Sequence, residues 1–274
     1  MIIFPNAKIN LGLNITERRA DKYHNLETVF YPIPIEDALE ITLPATSQKE
    51  SCLHSSGISV TKEGKDNLVI KAYRLLAESF NLPPINIYLH KTIPSGAGLG
   101  GGSSDAAFML KLLNSKFELN LSNKQLEEYA SKLGADCAFF VHNQPAFAEG
   151  IGNIFSPIKL SLKNYKIIIV KPAVFVSTQE AFSMVTPHKP EISLKEIICS
   201  PPTQWKELMT NDFEHSIFTL HPEIKAIKDK LYDNGAIYSS MSGSGSSVYG
   251  LFEPAHQLPQ IDFDQSLCFQ TILK

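Results

Sequence analysis

The sequence predicts a mixed helix-and-strand protein organised as two domains. Its 274 residues exceed the common single-domain size. Strict apolar–polar alternation at 7–15 and again at 85–90 has the period of strands. Apolar stripes at helical spacing follow a glycine-rich turn and a capping signal. A chain of this length can bury roughly 75% of its unfolded surface, so it needs no disulfide or metal staple.

In the first strand Ile9, Leu11, Leu13 and Ile15 face one way, and Lys8, Asn10, Gly12 and Asn14 face the other. This pattern predicts a half-buried strand whose polar face is open to a site. Ile85, Ile87 and Leu89 alternate with Asn86, Tyr88 and His90 in the second. A glycine run follows, and then Ala106, Met109, Leu110, Leu113 and Phe117 mark a helix. Ser122 with Gln125 three residues on has the form of a capping box. It opens a helix with the stripe Leu126, Tyr129, Ala130 and Leu133, and Gly134 is expected to stop that helix. Further on, 165–170 reads as a strand and 178–185 as a helix capped by Ser177 or Thr178. Residues 186–204 read as irregular, 222–231 as a helix, and 248–252 as a strand after a glycine-serine turn at 241–247. A domain boundary is expected near Phe155, after the glycine-containing segment 149–153.

Composition narrows the function classes. Hydrophobic residues make up 43% and charged residues 19%, with a net charge of -3 and both signs dispersed. No nucleic-acid surface or membrane-binding patch is indicated. Cys52, Cys137, Cys199 and Cys268 are far apart and form no CxxC pair, which predicts a reducing compartment rather than a disulfide framework. The eight histidines show no metal-ligand spacing. No basic leader precedes an apolar run, and no apolar stretch nears the ~18 residues of a membrane span. A cytoplasmic protein is expected.

The strongest local signal is Pro94-Ser95-Gly96-Ala97-Gly98-Leu99-Gly100-Gly101-Gly102-Ser103-Ser104, set between a strand and a helix. Glycines let backbone N–H groups approach a ligand, and the N-terminus of the next helix adds further N–H groups, which together form an anion site. Ser103 and Ser104 can cap the helix, touch phosphate or help hold Mg²⁺. A flexible linker is the alternative, but linkers do not usually run straight into an amphipathic helix. No Gly-Lys-Ser/Thr closes the loop, so it is not a Walker A motif, and no ribose-binding acid accompanies it as a dinucleotide fold requires.

Extended through Asp105-Ala106-Ala107, this segment resembles the phosphate-binding motif of the GHMP small-molecule kinases. Pro5-Asn6-Ala7-Lys8-Ile9-Asn10-Leu11 resembles that family's opening strand, and Gly134-Ala135-Asp136 its catalytic aspartate motif. The run from Met241 to Ser247 resembles its third motif. Arg19-Ala20-Asp21-Lys22-Tyr23-His24-Asn25-Leu26 resembles the cytidine-recognition turn of one branch, with lysine at 22 where glycine is usual. The triple glycine before Ser-Ser resembles the same branch. The match covers most of the chain in the expected order.

The resemblance implies an α+β, two-domain GHMP-kinase-like fold with its active site in the inter-domain cleft. Residues 1–155 would form the ATP-binding domain and 156–274 a ferredoxin-like α+β domain. ATP is the implied co-substrate, with Mg²⁺. The implied acceptor is the 2-hydroxyl of a cytidine diphosphate-linked methylerythritol, in non-mevalonate isoprenoid precursor synthesis. A monomer or weak homodimer is expected, with neither nucleic acid nor membrane as partner. The rivals are another GHMP kinase acting on mevalonate, homoserine or a sugar, and a non-catalytic nucleotide sensor. A sensor is expected to have lost Lys8 or Asp136, and both are present.

By this resemblance Asp136 accepts the hydroxyl proton and Lys8 stabilises the transferring group. Without the motif context, a helix cap is the default for Asp136 and a solvated strand face the default for Lys8 and Asn10. Asn10, Tyr23, His24, Thr178 and Phe182 are implied substrate contacts, against a surface turn, a cap and a core phenylalanine as alternatives. The Asp66-Asn67-Leu68 segment and Lys91 resemble nucleotide-contacting positions, against a helix cap for Asn67 and a surface lysine for Lys91. The turn at 241–247 either approaches the substrate's phosphates or is a hairpin turn only.

Overall fold

The computed structural model describes residues 1–45, 49–58 and 67–274. By its internal contacts the chain forms two compact units. Met1–Ala7, Ile35–Ser95 and Gly100–Gln144 make the first; Lys8–Pro34, Gly96–Leu99 and Pro145–Lys274 make the second. In chain order the elements are β1 (Ile2–Ile3), β2 (Asn6–Arg18), β3 (His24–Glu36), β4 (Ala38–Thr42), β5 (Cys52–Gly57), α1 (Leu68–Phe80), β6 (Asn86–Lys91), α2 (Gly101–Lys116), α3 (Asn123–Ser131) and α4 (Phe139–His142). They continue with β7 (Ala146–Glu149), β8 (Ile154–Pro157), β9 (Lys166–Lys171), α5 (Thr178–Phe182), α6 (Leu194–Ile197), α7 (Trp205–Leu208), α8 (Phe213–Leu220), α9 (Pro222–Asp233), β10 (Tyr238–Met241), β11 (Val248–Phe252) and β12 (Leu267–Ile272).

The first unit holds a sheet of order β1-β4-β6-β5, antiparallel except for the parallel β5–β6 pair. In β6, Ile87, Leu89 and Lys91 point inward while Tyr88 and His90 are exposed, as the alternation predicts. Helix α2 packs against α1, α3 and α4. It is buried nearly all round from Ser104 to Leu113, as befits a central helix. The capping box on α3 forms as expected: the Ser122 hydroxyl accepts from the Gln125 N–H, and the Gln125 side chain accepts from the Ser122 N–H. The expected stop at Gly134 takes another form. Helix α3 ends at Ser131, and Gly134 has φ 172°, extended backbone open to any residue.

The second unit holds two sheets, β10-β11-β9-β12, in which every pairing is antiparallel, and β2-β3-β7-β8. Central strands β9 and β11 are almost wholly buried, and α5, α8 and α9 share one core with them. Here the reading of β2 as half-buried is corrected. Residues 6–15 are buried on both faces, with Lys8 and Asn10 each 3% exposed. A polar face can be buried when each group finds a partner, and Asn14, for example, donates to Glu27 Oε1 at 2.9 Å.

Residues 186–204 are not irregular throughout. Ser193 caps the single turn α6, whose Leu194 and Ile197 are buried. Leu194 covers Gly12, whose φ is +65°, so closely that an added Cβ would lie 2.5 Å from its Cδ2. A one-turn helix is too short to show a period. The helix expected over 178–185 shortens to α5, with Ser177 as its cap. Phe155 lies within β8.

Candidate active site

The glycine loop runs from the end of β6 to the start of α2. Ala97 and Leu99 are buried at 2% and 1% exposure and anchor it, alternating with Gly96, Gly98 and Gly100, which have φ of 62°, 76° and 70°. The carbonyls on its inner side are engaged: Ala97 O accepts from Ser247 N at 3.2 Å, and Leu99 O from Lys8 N at 3.0 Å. Gly98 O accepts from Ser242 Oγ at 2.8 Å and from Lys8 Nζ at 3.1 Å. A trans peptide points its N–H opposite its C=O. The N–H groups of Gly98, Leu99 and Gly100 therefore face away from these contacts, and the unpaired N–H groups at the start of α2 follow directly. The turn at 241–247 is a hairpin connection between β10 and β11 that also buttresses the loop. Asn211 Nδ2 holds it through the carbonyls of Met241 and Gly243, at 2.8 and 2.9 Å.

Lys8 is fixed by a chain of hydrogen bonds. Its ammonium donates to Asn10 Oδ1 at 2.6 Å and lies 4.7 Å from the centroid of the Phe30 ring. Asn10 Nδ2 donates to Thr28 Oγ1 at 3.0 Å, and Thr28 Oγ1 donates to Gly12 O at 2.6 Å. Because the Thr28 proton is spent on Gly12, the hydroxyl must accept from the Asn10 amide, and this turns Asn10 Oδ1 toward Lys8. The solvated face considered for Lys8 and Asn10 is thus not realised. Sequence reading missed Thr28, which no local pattern marks.

Asp136 belongs to the first unit, on the 3₁₀ turn 135–137, and is half-buried. It does not cap α4, whose N-cap is Ala138, without a side-chain hydrogen bond. The turn packs on α2, with Cys137 buried beneath it. Burial pushes the Cys137 thiol up to about 11, so it is an inert anchor. Ser104 is fully buried, which leaves Ser103 as the half-buried serine at the helix start.

The turn at 19–23 keeps the backbone expected of glycine although lysine occupies 22. Lys22 has φ 70°, Arg19 N donates to Tyr23 O at 2.8 Å, and Lys22 N donates to Arg19 O at 3.2 Å. A left-handed lysine costs about 1–2 kcal/mol and glycine's extra chain entropy about 0.5–1 kcal/mol. Lys22→Gly is therefore expected to stabilise the protein by about 0.5–1 kcal/mol in urea unfolding; a destabilised variant would refute this account of the turn. Tyr23 is 62% exposed. His24 stacks on Phe182 at 4.7 Å between ring centroids, and Phe182 meets Phe213 edge-on at 4.8 Å. Burial, then Arg18, lowers the His24 pKa. Thr178 is exposed at the start of α5, next to the capping Ser177. His24 and Phe182 are thus brought together, in the same unit as Tyr23 and Thr178.

Asn67 takes the helix-cap role, accepting from Val69 N at 2.9 Å; Asp66 lies outside the described residues. Lys91 is not a surface lysine. It is 3% exposed, and its ammonium is ion-paired with Asp37 and, at 2.6 Å, with Asp105 Oδ2. Neither aspartate was expected. Asp105 sits inside the quoted motif without an assigned part, and Asp37 carries no local signal. Burial raises Asp105 to about 7, against the pull of Lys91 and with the push of Asp37. A carboxyl raised in the folded state holds its proton while the unfolded chain ionises, so its contribution to stability is full below about 3.8 and is lost as pH rises to about 7. Asp105→Asn is expected to flatten this dependence, gaining on the wild type between pH 5 and pH 7.5 in urea midpoints. An unchanged difference at the two pH values would refute the raised carboxyl.

Comparison with known proteins gives three results. The GHMP kinases N terminal domain model matches residues 67–144, and the GHMP kinases C terminal model matches 195–261. The chain is 64% identical over 274 residues to 4-diphosphocytidyl-2-C-methyl-D-erythritol kinase of Bacteroides fragilis, covering all of both chains. It is 46% identical over 275 residues to the enzyme of that name in Porphyromonas gingivalis, again covering all of both. A crystal structure of 4-(cytidine 5'-diphospho)-2C-methyl-D-erythritol kinase superposes with a TM-score of 0.79 at 33% identity, covering 92% of this chain and 90% of that one. A mevalonate kinase structure superposes with a TM-score of 0.73 at 17% identity, covering 100% and 99%, and shares the fold.

Proposed function

Since the chain belongs to the GHMP kinase family and, within it, to the 4-diphosphocytidyl-2-C-methyl-D-erythritol kinases, we propose that it transfers the γ-phosphoryl group of ATP to the 2-hydroxyl of 4-diphosphocytidyl-2-C-methyl-D-erythritol, a step of non-mevalonate isoprenoid precursor synthesis. The observation that carries the chemistry is the Lys8 ammonium, held between Asn10 Oδ1 and the Gly98 carbonyl of the phosphate loop. The acceptor rests on full-length identity of 64% to an enzyme of that name.

Phosphoryl transfer depends mainly on positioning and charge stabilisation. The outward N–H groups of the glycine loop and the start of α2 cradle the phosphates. Lys8 offsets the charge that spreads over the transferring group. Asp136 accepts the proton of the 2-hydroxyl as its oxygen bonds to the γ-phosphorus, and the bond to the β-bridging oxygen breaks to release ADP. Asn10 orients the acceptor, while Tyr23, His24, Thr178 and Phe182 hold its cytidine end. Asn67 and Lys91 complete the ATP side. Mg²⁺ suits the site as an ion held by phosphate and water, since among the described residues no three acidic, histidine or cysteine side chains converge. The Ser103 hydroxyl keeps a lone pair to offer it. Bound Mg²⁺ supplies charge neutralisation of the triphosphate.

We assign 1–155 to the ATP-binding domain and 156–274 to the C-terminal domain; the family matches fall on either side of that boundary. Among the described residues no helix is long and apolar enough to cross a membrane. The four cysteines are free, which supports a cytoplasmic location. The test is ADP release with Mg-ATP and each of 4-diphosphocytidyl-2-C-methyl-D-erythritol, mevalonate and homoserine. Turnover with the first alone is expected, and turnover with either of the others alone would replace the acceptor.

A further inference from the structure

The first unit contains a buried ionic cluster around Lys91 whose two aspartates have no part in the proposed reaction. Asp37 lies between β3 and β4, is 1% exposed, and donates its own N–H to Pro5 O at 2.8 Å. Its Oδ1 accepts from Thr92 N at 2.6 Å and from Ile93 N at 2.8 Å, the two residues that lead from β6 into the glycine loop. Its Oδ2 holds the Lys91 ammonium, which donates also to Asp105 Oδ2 at 2.6 Å. Asp105 lies in α2, just beyond the end of the loop. The two ends meet in packing as well. A Cβ added to Gly101 would lie 2.8 Å from Ile93 Cγ2 and 3.4 Å from Lys91 Nζ.

Desolvating three ionisable groups is costly, and a buried ion cluster is weak evidence of a contribution to stability. One ammonium balances only one carboxylate, so the second carboxyl adds no charge pairing, and Asp105 Oδ1 has no hydrogen-bond partner. A cluster built for stability alone needs only one aspartate. The second one adds a link from the strand end to the helix.

We infer that Asp37, Lys91 and Asp105 form a staple that joins the two ends of the glycine loop and fixes the loop in its nucleotide-binding shape. Asp37 and Asp105 are then positioning residues for ATP, acting through the backbone at 92–93 and through α2. The staple rests on the kinase reading for the identity of the nucleotide. Lys91 serves the nucleotide through the loop it fastens.

Asp105→Leu tests the staple cleanly, because it leaves Asp37 and Lys91 as a balanced pair and cuts only the link to α2. Calorimetric binding of ADP, which needs no acceptor, is expected to weaken about tenfold. KM for ATP should rise by a similar factor, while KM for the acceptor stays within about twofold. Asp105→Asn, which keeps the acceptor oxygen for Lys91, should recover most of the loss. Asp37→Asn, which keeps an acceptor for the two N–H groups and weakens the hold on Lys91, should give an intermediate loss. Wild-type ADP affinity in both Asp105→Leu and Asp37→Asn would overturn the staple, as would a parallel rise in both KM values. If Asp105→Leu does not fold, Asp37→Asn alone decides by the same two readouts. A wild type that binds ADP but leaves the cytidine substrate unphosphorylated would remove the acceptor assignment without touching the staple.

Discussion

Asp136→Asn is expected to lower kcat by about 10²- to 10⁴-fold while ADP binds as in the wild type. The size of the loss follows from the chemistry. Asparagine matches aspartate in shape but cannot take the hydroxyl proton, so the alcohol must attack as a neutral, weaker nucleophile. The fold should tolerate the change. The 3₁₀ turn is anchored by Cys137 and by the buried Ala138, Phe139 and Phe140, and α4 draws no cap from Asp136. Turnover, ADP calorimetry and thermal unfolding together decide the point. Undiminished kcat would remove Asp136 as the base and leave phosphoryl transfer to positioning alone. A loss of ADP affinity parallel to the loss of kcat would make Asp136 part of nucleotide binding instead.

The features legible in the sequence are those in which one short segment carries the whole physical reason. Ser122 and Gln125 satisfy each other's backbone within a single turn, so the capping box could be read directly. The glycine loop was equally plain, because strand, glycines and helix are contiguous. Burial of the β2 polar face was not legible. A lysine and an asparagine satisfied inside the protein have the same letters as a solvated pair, and their partners come from Thr28, Ser242 and Gly98, far along the chain. The staple was hidden for the same reason: Asp37 and Lys91 are 54 residues apart. The His24–Phe182 stack joins a turn in the first part of the chain to a helix of the second. The family resemblance named both residues, yet no periodicity connects them. Asn67 shows the converse, since its cap is local and was among the readings available from sequence.

Gly98→Ala and Gly102→Ala are expected to separate two reasons for glycine within one loop. At Gly98 the backbone has φ +76°, and an added Cβ would run into the Ser242 carbonyl, with Gly245 O only 3.3 Å away. Both obstacles are backbone, and the turn that carries them is held by Asn211, so neither can move aside cheaply. The left-handed φ adds about 1–2 kcal/mol for alanine. Gly98→Ala should therefore destabilise the ligand-free protein by at least about 2 kcal/mol and weaken ADP binding through a displaced loop. At Gly102 an added Cβ meets only Leu68 Cδ1, at 3.8 Å, and the residue is exposed in the first turn of α2. Alanine is a better helix former there by up to about 1 kcal/mol, so the ligand-free protein should be unharmed or slightly stabilised. Its methyl group would instead stand where phosphate meets the helix N-terminus, and ADP affinity should fall about 10- to 100-fold with no loss of melting temperature. Wild-type ADP affinity in Gly102→Ala would place the phosphates away from the start of α2. An undamaged Gly98→Ala would mean that the loop is not seated against the turn at 241–247. Only if stability falls at one position and affinity alone falls at the other do the inner and outer faces of the loop have the separate roles its hydrogen bonds describe.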